Sequence, residues 1–177
     1  MKRVAIVVVA VAFFCSAFAE EWANSEGSCF GKGNMNVSTG ISVLHFGGYG
    51  LFDYAIHDAI SVGAELGYNG YGRNSFWRYN YLPIVVRGSF HPFNLSAWSE
   101  KMKIRNILDP YAGISMGWNV GWATWRSSGD KLSTPGTGGF IFRENIGVRF
   151  YPTSRFYLNF EEGGGLGLFN FGVGFKL

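Results

Sequence analysis

The sequence predicts an all-β chain that closes into an eight-stranded antiparallel transmembrane β-barrel with both termini on the periplasmic side. Residues 169–177 alternate bulky apolar with small or polar side chains, which is the period of a β-strand. Seven earlier segments show the same alternation. In each of them the bulky residues share one face, and Gly, Ser, Asn or charged residues share the other. This arrangement indicates an apolar exterior and a polar interior.

The first four predicted strands cover residues 36–46, 49–57, 60–69 and 77–93. Alternation of period two defines each of them. Their predicted outward side chains are, strand by strand, Val37, Thr39, Ile41 and Val43; Phe52, Tyr54 and Ile56; Ile60, Val62, Ala64, Leu66 and Tyr68; and Leu82, Ile84, Val86 and Phe90. The predicted inward set is Ser38, Gly40 and Ser42; Asp53 and Ala55; Ser61, Gly63, Glu65, Gly67 and Asn69; and Tyr81, Arg87, Ser89 and His91.

The last four predicted strands cover residues 109–123, 139–151, 156–161 and 169–177. Their predicted outward side chains include Ile114, Met116, Trp118, Val120 and Trp122; Phe142, Ile146, Val148 and Phe150; Phe156, Leu158 and Phe160; and Phe169, Phe171, Val173, Phe175 and Leu177. One position conflicts with the pattern, because Glu144 falls on the apolar face, where a charge is costly near the bilayer midplane. Either a bulge near Phe142 or a position outside the hydrocarbon would resolve the conflict.

The N-terminus has the features of an export signal. A basic pair, Lys2 and Arg3, precedes an apolar run over residues 4–14, and Ala17 and Ala19 supply the small residues of a cleavage site. The run is shorter than the roughly 20 residues of a spanning helix. We therefore expect residues 1–19 to be a cleaved signal peptide, residues 20–35 a flexible leader and residues 36–177 the barrel.

Composition excludes several classes of function. Loss of the signal would reduce the 15 basic residues to 13 against 12 acidic ones, so the net charge would fall from +3 to +1. No basic cluster with interleaved aromatics suggests nucleic-acid binding. Cys29 alone would remain, and one thiol cannot form an internal disulfide. We expect a free cysteine in the leader, no cofactor and no metal site, since no ligand-spacing motif occurs.

The lengths of the connections between the strands predict that the two ends of the barrel differ. The tight turns at residues 57–58 and 152–154 suit the periplasmic side, and the longer stretch at 126–137 suits the opposite side. Residues 94–106 form a long connection on the short side, and its Lys101, Lys103 and Arg105 would either be solvated or lie against anionic headgroups. Aromatic residues near the strand ends suit interfacial girdles; these are Trp77, Tyr79, Trp118, Trp122 and Trp125.

Four segments carry a resemblance to a known family: residues 81–88 (YLPIVVRG), 109–113 (DPYAG), 147–151 (GVRFY) and 171–177 (FGVGFKL). From about Val37 to Leu177, the chain resembles the small bacterial outer-membrane β-barrel proteins of the OmpA/OmpX-type, porin-like group. The resemblance implies an outer-membrane location in a Gram-negative cell envelope, with outer-membrane lipids and the assembly machinery as partners. It also implies a closing-strand assembly signal at Phe171, Val173, Phe175 and Leu177. Members usually end in an aromatic residue, whereas this chain ends in Leu177.

The predicted inner face combines three acids with three arginines: Asp53, Glu65, Arg87, Arg143, Arg149 and Glu161. Eight strands leave an interior just wide enough for side chains to fill, and buried carboxylates and arginines pair well. We therefore expect a structural ion-pair network in a packed lumen. A charged ring that selects ions is the alternative, and it would make the barrel a narrow pore or transporter for small solutes.

A lipid A-modifying enzyme is the second alternative, with His91 and the nearby Ser89 as the one pair worth naming. No nucleophile elbow or phosphate loop supports it. We therefore expect no catalytic residues. The expected role is structural, or recognition of an extracellular ligand through the loops at residues 72–78 and 124–138.

Overall fold

The computed structural model describes residues 29–43, 47–72, 77–95, 103–125, 133–135, 138–164 and 167–177. The strands are β1 (Met35–Ser42), β2 (Gly47–His57), β3 (Ile60–Gly72), β4 (Trp77–Phe90), β5 (Leu108–Trp125), β6 (Ser133–Pro135), β7 (Gly139–Phe150), β8 (Phe156–Gly163) and β9 (Gly167–Lys176). Short 3₁₀ turns occupy Pro92–Asn94 and Lys103–Asn106. Among the described residues, no helix is long and apolar enough to cross a membrane.

Eight of these strands form one closed antiparallel barrel, as the sequence predicts. Each strand from β1 to β5 pairs with the next, β5 pairs with β7, and β7, β8 and β9 follow in turn. The barrel closes where β1 pairs with β9, with Asn36 opposite Lys176 and Ser42 opposite Asn170. The short β6 lies outside this ring and pairs with the end of β5. We call the end that carries Met35 and Lys176 the terminal end, and the opposite end the far end.

The two faces of the wall differ as the alternation predicts. Large apolar side chains such as Ile41, Val86 and Phe175 are exposed on the outer surface, while carboxylates, arginines and amides are buried inside. Inward glycines make room for inward tyrosines, because a side chain at Gly147 or Gly174 would collide with the ring of Tyr111 or Tyr157, respectively. The polar core is therefore packed by large side chains that cross the lumen.

Two strands on one side of the barrel, β3 and β5, are longer than predicted. β3 continues to Gly72 and β5 reaches Trp125, β4 begins at Trp77 as predicted, and the β8–β9 hairpin ends at Gly163 and Gly167. β7 pairs with β8 only from Asn145 onward, so residues 139–144 extend past the end of β8. Together with β6, these extensions form a projecting sheet, which consists of residues 70–72, 77–80, 119–125, 133–135 and 139–144. Parts of the two predicted recognition loops are thus strand, and residues 73–76, 126–132 and 136–137 lie outside the described residues.

Glu144 is exposed on the outer face, and the structure excludes one of the two explanations for it. The register of β7 with β5 is continuous through Phe142, so the bulge explanation is wrong. Instead, the backbone oxygen of Glu144 accepts a hydrogen bond from Gly164 N at 3.1 Å, beside the β8–β9 turn. Gly163 and Gly164 in that turn have φ of +91° and +70°, a conformation that favours glycine. The β8–β9 hairpin forms the lowest part of the far end, which we call the low rim. Glu144 therefore lies beside the low rim rather than midway along the wall of the barrel.

The end of the predicted leader is packed rather than flexible. Cys29 and Phe30 are buried at the terminal end with Ala55, Tyr151 and Tyr157. Backbone hydrogen bonds join Gly33 N to Ala55 O at 2.8 Å and Ala55 N to Asn34 O at 2.9 Å. Residues 29–34 consequently prolong β1 and cover the lumen at this end. The predicted signal peptide and the rest of the leader lie outside the described residues.

Candidate functional site: the charged lumen

Arg87 is the centre of the lumen. Its Nη2 lies 2.7 Å from Glu161 Oε2 and its Nη1 lies 3.5 Å from Glu65 Oε2, while Nε is 3.9 Å from Asp53 Oδ1. All four side chains are buried. The guanidinium can satisfy several carboxylates because its donors are arranged as a rigid fork. One arginine on β4 therefore joins acids from β2, β3 and β8.

Arg149 forms the second ion-pair centre, nearer the terminal end. It bonds Asp53 through Nη2, and its Nη1 lies 4.0 Å from Asp109 Oδ2. The guanidinium carbon is also 4.9 Å from the centre of the Tyr111 ring, which permits a cation–π interaction. Asp53 thus bridges Arg149 and Arg87, and the two centres form one network across the barrel.

Tyr111 and Tyr49 complete the middle layer. The Tyr111 hydroxyl lies within hydrogen-bond distance of Glu161 Oε2 at 2.6 Å and of Asn159 Oδ1 at 2.8 Å. Asn159 Nδ2 donates to the Tyr49 hydroxyl at 3.3 Å. A hydroxyl that donates to a carboxylate makes a strong, short hydrogen bond. Aromatic rings and ion pairs together therefore span the lumen at mid-height.

His91 connects the network to the covered terminal end. Its Nδ1 lies 2.8 Å from Asp109 Oδ1 and its Nε2 lies 3.0 Å from Ser61 Oγ. The Phe30 ring stacks on the imidazole, with ring centroids 3.7 Å apart and an interplanar angle of 11°. Phe30 is only 1% exposed. The segment that continues β1 therefore closes the lumen directly beneath His91.

Cys29 anchors this covering segment from the other side. Its backbone N and its Sγ both donate to Arg105 O, at 3.4 and 2.8 Å, and Lys176 Nζ donates to Cys29 O at 3.4 Å. Burial raises the pKa of the Cys29 thiol well above its ordinary value. Arg105 belongs to the long connection at residues 94–106, so this connection lies against the covering segment; its residues 96–102 are outside the described part of the chain.

The structure brings five of the six predicted lumen charges into one network: Asp53, Glu65, Arg87, Arg149 and Glu161. Arg143 lies half-buried on the inner face nearer the far end, opposite Ser115. The fourth acid of the network, Asp109, was missed. It has the same inward parity as Tyr111, Gly113 and Ser115, so extending the alternation by one step would have found it.

The pair named for the enzymatic alternative, His91 and Ser89, is not joined by a hydrogen bond in the structure. Ser89 Oγ accepts a hydrogen bond from Asn145 Nδ2 at 3.3 Å, and Asn145 in turn accepts one from Ser115 at 3.1 Å. His91 instead contacts Ser61. Ser61 and Ser89 both have inward parity, on the neighbouring strands β3 and β4. Periodicity alone could not show which of the two reaches the imidazole of His91.

Of the remaining predicted sites, those whose side chains the structure describes lie on the outer surface. Trp118 is 56% exposed beside Ile84, within the apolar belt, whereas Trp122 is half-buried nearer the far end. Trp77 pairs through its backbone with Trp125 at the end of the projecting sheet. In the closing strand, Phe171, Val173, Phe175 and Leu177 all face outward and are exposed. Within the described ranges, no group of three or more His, Cys, Asp or Glu side chains is arranged to hold a metal ion.

The fold and the charged lumen define a class: an eight-stranded barrel of the outer-membrane type, with an apolar wall and a packed polar interior. Solved structures of that type are similar to it. Ail, the attachment invasion locus protein of Yersinia pestis, is 13% identical with a TM-score of 0.55, over 82% of this chain and 99% of Ail. A second structure of Ail, in complex with the heparin analogue sucrose octasulfate, is 15% identical with a TM-score of 0.54, over 82% and 99% of the two chains.

The outer membrane protein OprG from Pseudomonas aeruginosa is also similar, with 12% identity and a TM-score of 0.55, over 85% of this chain and 99% of OprG. No family model matches the chain. No curated protein matches it at a significant level. At such low identities the likeness establishes the fold, and it confirms the predicted OmpA/OmpX-type barrel.

Proposed function

We propose that this protein is an integral outer-membrane barrel with a closed lumen, and that it serves a structural or recognition role through its far end. The side chains that fill the lumen are the observation that carries the proposal. Arg87 and Tyr111 fill the interior at mid-height, Arg149 fills it nearer the terminal end, and Phe30 covers it at that end. An eight-stranded barrel has no spare width beyond such side chains. The exposed apolar wall supports a bilayer as its surroundings.

The lengths of the connections support a periplasmic terminal end. β2 and β3 are separated by two residues there, and β7 and β8 by five, while residues 91–107 form one long connection between β4 and β5 at the same end; at the far end the connection that contains β6 runs over residues 126–138. Short turns on the periplasmic side and longer loops outside are usual for such barrels. In this orientation the projecting sheet stands outside the cell. Outer-membrane lipids would surround the wall, and the assembly machinery would act on the closing strand at Phe171–Leu177.

The projecting sheet supports a recognition role. It holds β6 and the ends of four long strands beyond the low rim formed by the β8–β9 hairpin. Ail, which shares the fold, is named for attachment and invasion and has been crystallised with a heparin analogue. We propose that this chain likewise presents a ligand-binding surface on the sheet and its connecting loops.

Planar-bilayer recording tests the closed lumen against the narrow pore. The refolded protein without residues 1–19 should give no current steps above those of a protein-free control made with the same detergent. Heat-modifiable migration on gels would show that the inserted barrel is folded. Reproducible unit conductance from folded wild-type protein would overturn the closed-lumen proposal. Recovery of the protein in the soluble fraction of cells, without detergent, would overturn the membrane assignment itself.

Ser61, His91 and Asp109 have the order of contacts found in a Ser–His–Asp triad, the arrangement on which a catalytic role would depend. A nucleophile must reach its substrate, yet Ser61 is fully buried and Phe30 covers the imidazole. We propose that these residues support the covered end rather than catalyse a reaction. A change in lipid A that requires the protein and is lost on Ser61→Ala, with the barrel still folded, would contradict this proposal.

A further inference from the structure

We propose that the covering segment, residues 29–34, is a kinetic latch on the barrel. It docks only after the seam has formed, where β1 pairs with β9, and once docked it slows the reopening of that seam. This role goes beyond covering the lumen, and it does not depend on what the far end binds. Three features build the latch: the inserted Phe30 ring, the bond from Lys176 to Cys29 and a tight turn at Gly33.

The pocket that holds the Phe30 ring is assembled from separate parts of the barrel. His91, which directly follows β4, stacks on the ring, and Ala55 of β2 lies in the same buried cluster. Tyr151, which follows β7, and Tyr157 of β8 complete this cluster. Ala55 and Tyr157 lie on opposite sides of the seam, because β2 adjoins β1 and β8 adjoins β9. The pocket is therefore complete only when β1 has paired with β9.

Lys176 ties the covering segment to the last strand. Its Nζ donates to Cys29 O at 3.4 Å, and its backbone belongs to the β1–β9 ladder. Beside it, Leu177 N donates to Met35 O at 2.8 Å. Arg105, in the connection between β4 and β5, holds Cys29 from the opposite side of the mouth, because its backbone oxygen accepts from both the N and the Sγ of Cys29. The segment thus bridges the mouth and joins the seam to the opposite wall.

A tight turn directs the segment across the mouth. Asn34 N donates to Gly31 O at 3.1 Å, and Gly33 has a φ of +87°, a conformation that favours glycine. Lys32 N donates to Asp58 Oδ1 at 2.9 Å, in the two-residue turn between β2 and β3. A side chain at Gly33 would meet no atom within 4 Å. Substitution of Gly33 by alanine therefore strains the turn without a steric clash.

These contacts are expected to act on unfolding rather than on folding. Removal of a contact that is absent from the folding transition state speeds unfolding and leaves the folding rate almost unchanged. The contacts of Phe30 belong to this class if its pocket is completed only by closure of the barrel. The seam can reopen fully only after the ring has left the pocket and the bond from Lys176 has broken. The latch therefore lengthens the lifetime of the folded barrel, which is a kinetic stability.

Rates of folding into and unfolding from phospholipid vesicles provide the test, with the wild-type chain without residues 1–19 as the reference. At one fixed urea concentration, Phe30→Ala should unfold at least about tenfold faster, because truncation of a buried aromatic side chain usually changes the folding equilibrium by more than that factor. Its folding rate should stay within about twofold of the reference. An unchanged unfolding rate would overturn the proposal. So would a folding rate that falls as much as the unfolding rate rises, because the segment would then dock before closure.

Lys176→Met tests whether the segment acts as one unit with the seam. It keeps an unbranched side chain but removes the bond to Cys29 O, and it should speed unfolding about threefold. Lys32→Met is the matched control, because its exposed side chain can be exchanged while its backbone N still bonds Asp58. In the Phe30→Ala background, Lys176→Met should add almost nothing, since the latch is already open. Fully multiplicative effects of the two substitutions would show independent contacts and would refute a latch.

A variant of the turn keeps the proposal testable if Phe30→Ala does not fold. Gly33→Ala should unfold about threefold faster than Gly50→Ala, because only Gly33 has a positive φ, while the added methyl meets no atom within 4 Å at either position. The two variants should fold at similar rates. Equal unfolding rates of the two would count against the latch, as would slower folding of Gly33→Ala alone.

Discussion

Replacing Arg87 by Met tests whether ion pairing holds the lumen together. The substitution preserves an unbranched side chain but removes a guanidinium that lies within 4 Å of Glu161, Glu65 and Asp53 together. At the 2.7 Å separation from Glu161, the Coulomb attraction is about 6 kcal/mol for an effective dielectric constant of 20. Desolvation offsets part of this attraction. Loss of one partner from a buried pair generally costs about 3–5 kcal/mol, and we expect Arg87→Met to lower the free energy of unfolding by that amount.

A double-mutant cycle that combines Arg87→Met with Glu161→Gln separates ion pairing from packing. Glutamine keeps the size of the side chain and can still accept the hydrogen bond from Tyr111. In Arg87→Met alone the Glu161 carboxylate stays buried without Arg87, whereas in the double variant this carboxylate has been removed as well. We therefore expect the double variant to be more stable than Arg87→Met alone, with a coupling free energy of about 2 kcal/mol or more.

The measurement is urea unfolding of the refolded barrel in phospholipid vesicles, followed by tryptophan fluorescence. Linear extrapolation gives the free energy of unfolding of wild type, of each single variant and of the double variant. Glu162→Gln is the matched control: it is the same substitution one position along β8, on an exposed side chain, and it should change stability by less than about 0.5 kcal/mol. Additive effects of Arg87→Met and Glu161→Gln would refute the reasoning. A cost of Arg87→Met no larger than that of the control would also refute it.

Two further predictions concern the covered end and the rim. In refolded protein without residues 1–19, Cys29 should react slowly with a maleimide at pH 8, since burial raises the pKa of its thiol. Phe30→Ala should speed the reaction at least tenfold, and equal rates in the two folded proteins would show that Phe30 does not cover this end. At the rim, Gly163→Ala should cost about 1 kcal/mol or more in the same urea assay, because φ at Gly163 is +91°. The matched Gly50→Ala, where the added methyl meets no atom within 4 Å, should cost less, and equal costs would contradict the strain argument.

Local alternation was sufficient to predict the eight barrel strands and the direction of nearly every side chain. A β-strand turns successive residues to opposite faces, so the outward Phe52 and the inward Asp53 can be assigned without tertiary information. The ends of the strands were less predictable. β3 and β5 continue to Gly72 and Trp125, because β4 pairs with them beyond the apolar belt.

The pairing partners inside the lumen depended on the closed barrel. Arg87 and Glu161 are 74 residues apart, and Arg149 and Asp53 are 96 apart. Sequence parity placed all four inside but could not show which acid lies opposite which arginine, because that depends on strand order, stagger and closure. For the same reason, the choice of Ser61 rather than Ser89 as the partner of His91 required the structure.

The sequence by itself thus determined an apolar wall, a charged interior and the number of strands, since all three follow from a period of two along the chain. Only the tertiary structure showed that residues 29–34 cover the lumen and which of the inward charges pair with one another. Each of these features depends on contacts between segments that are distant in the sequence. Such contacts exist only after the first and last strands have paired and closed the barrel.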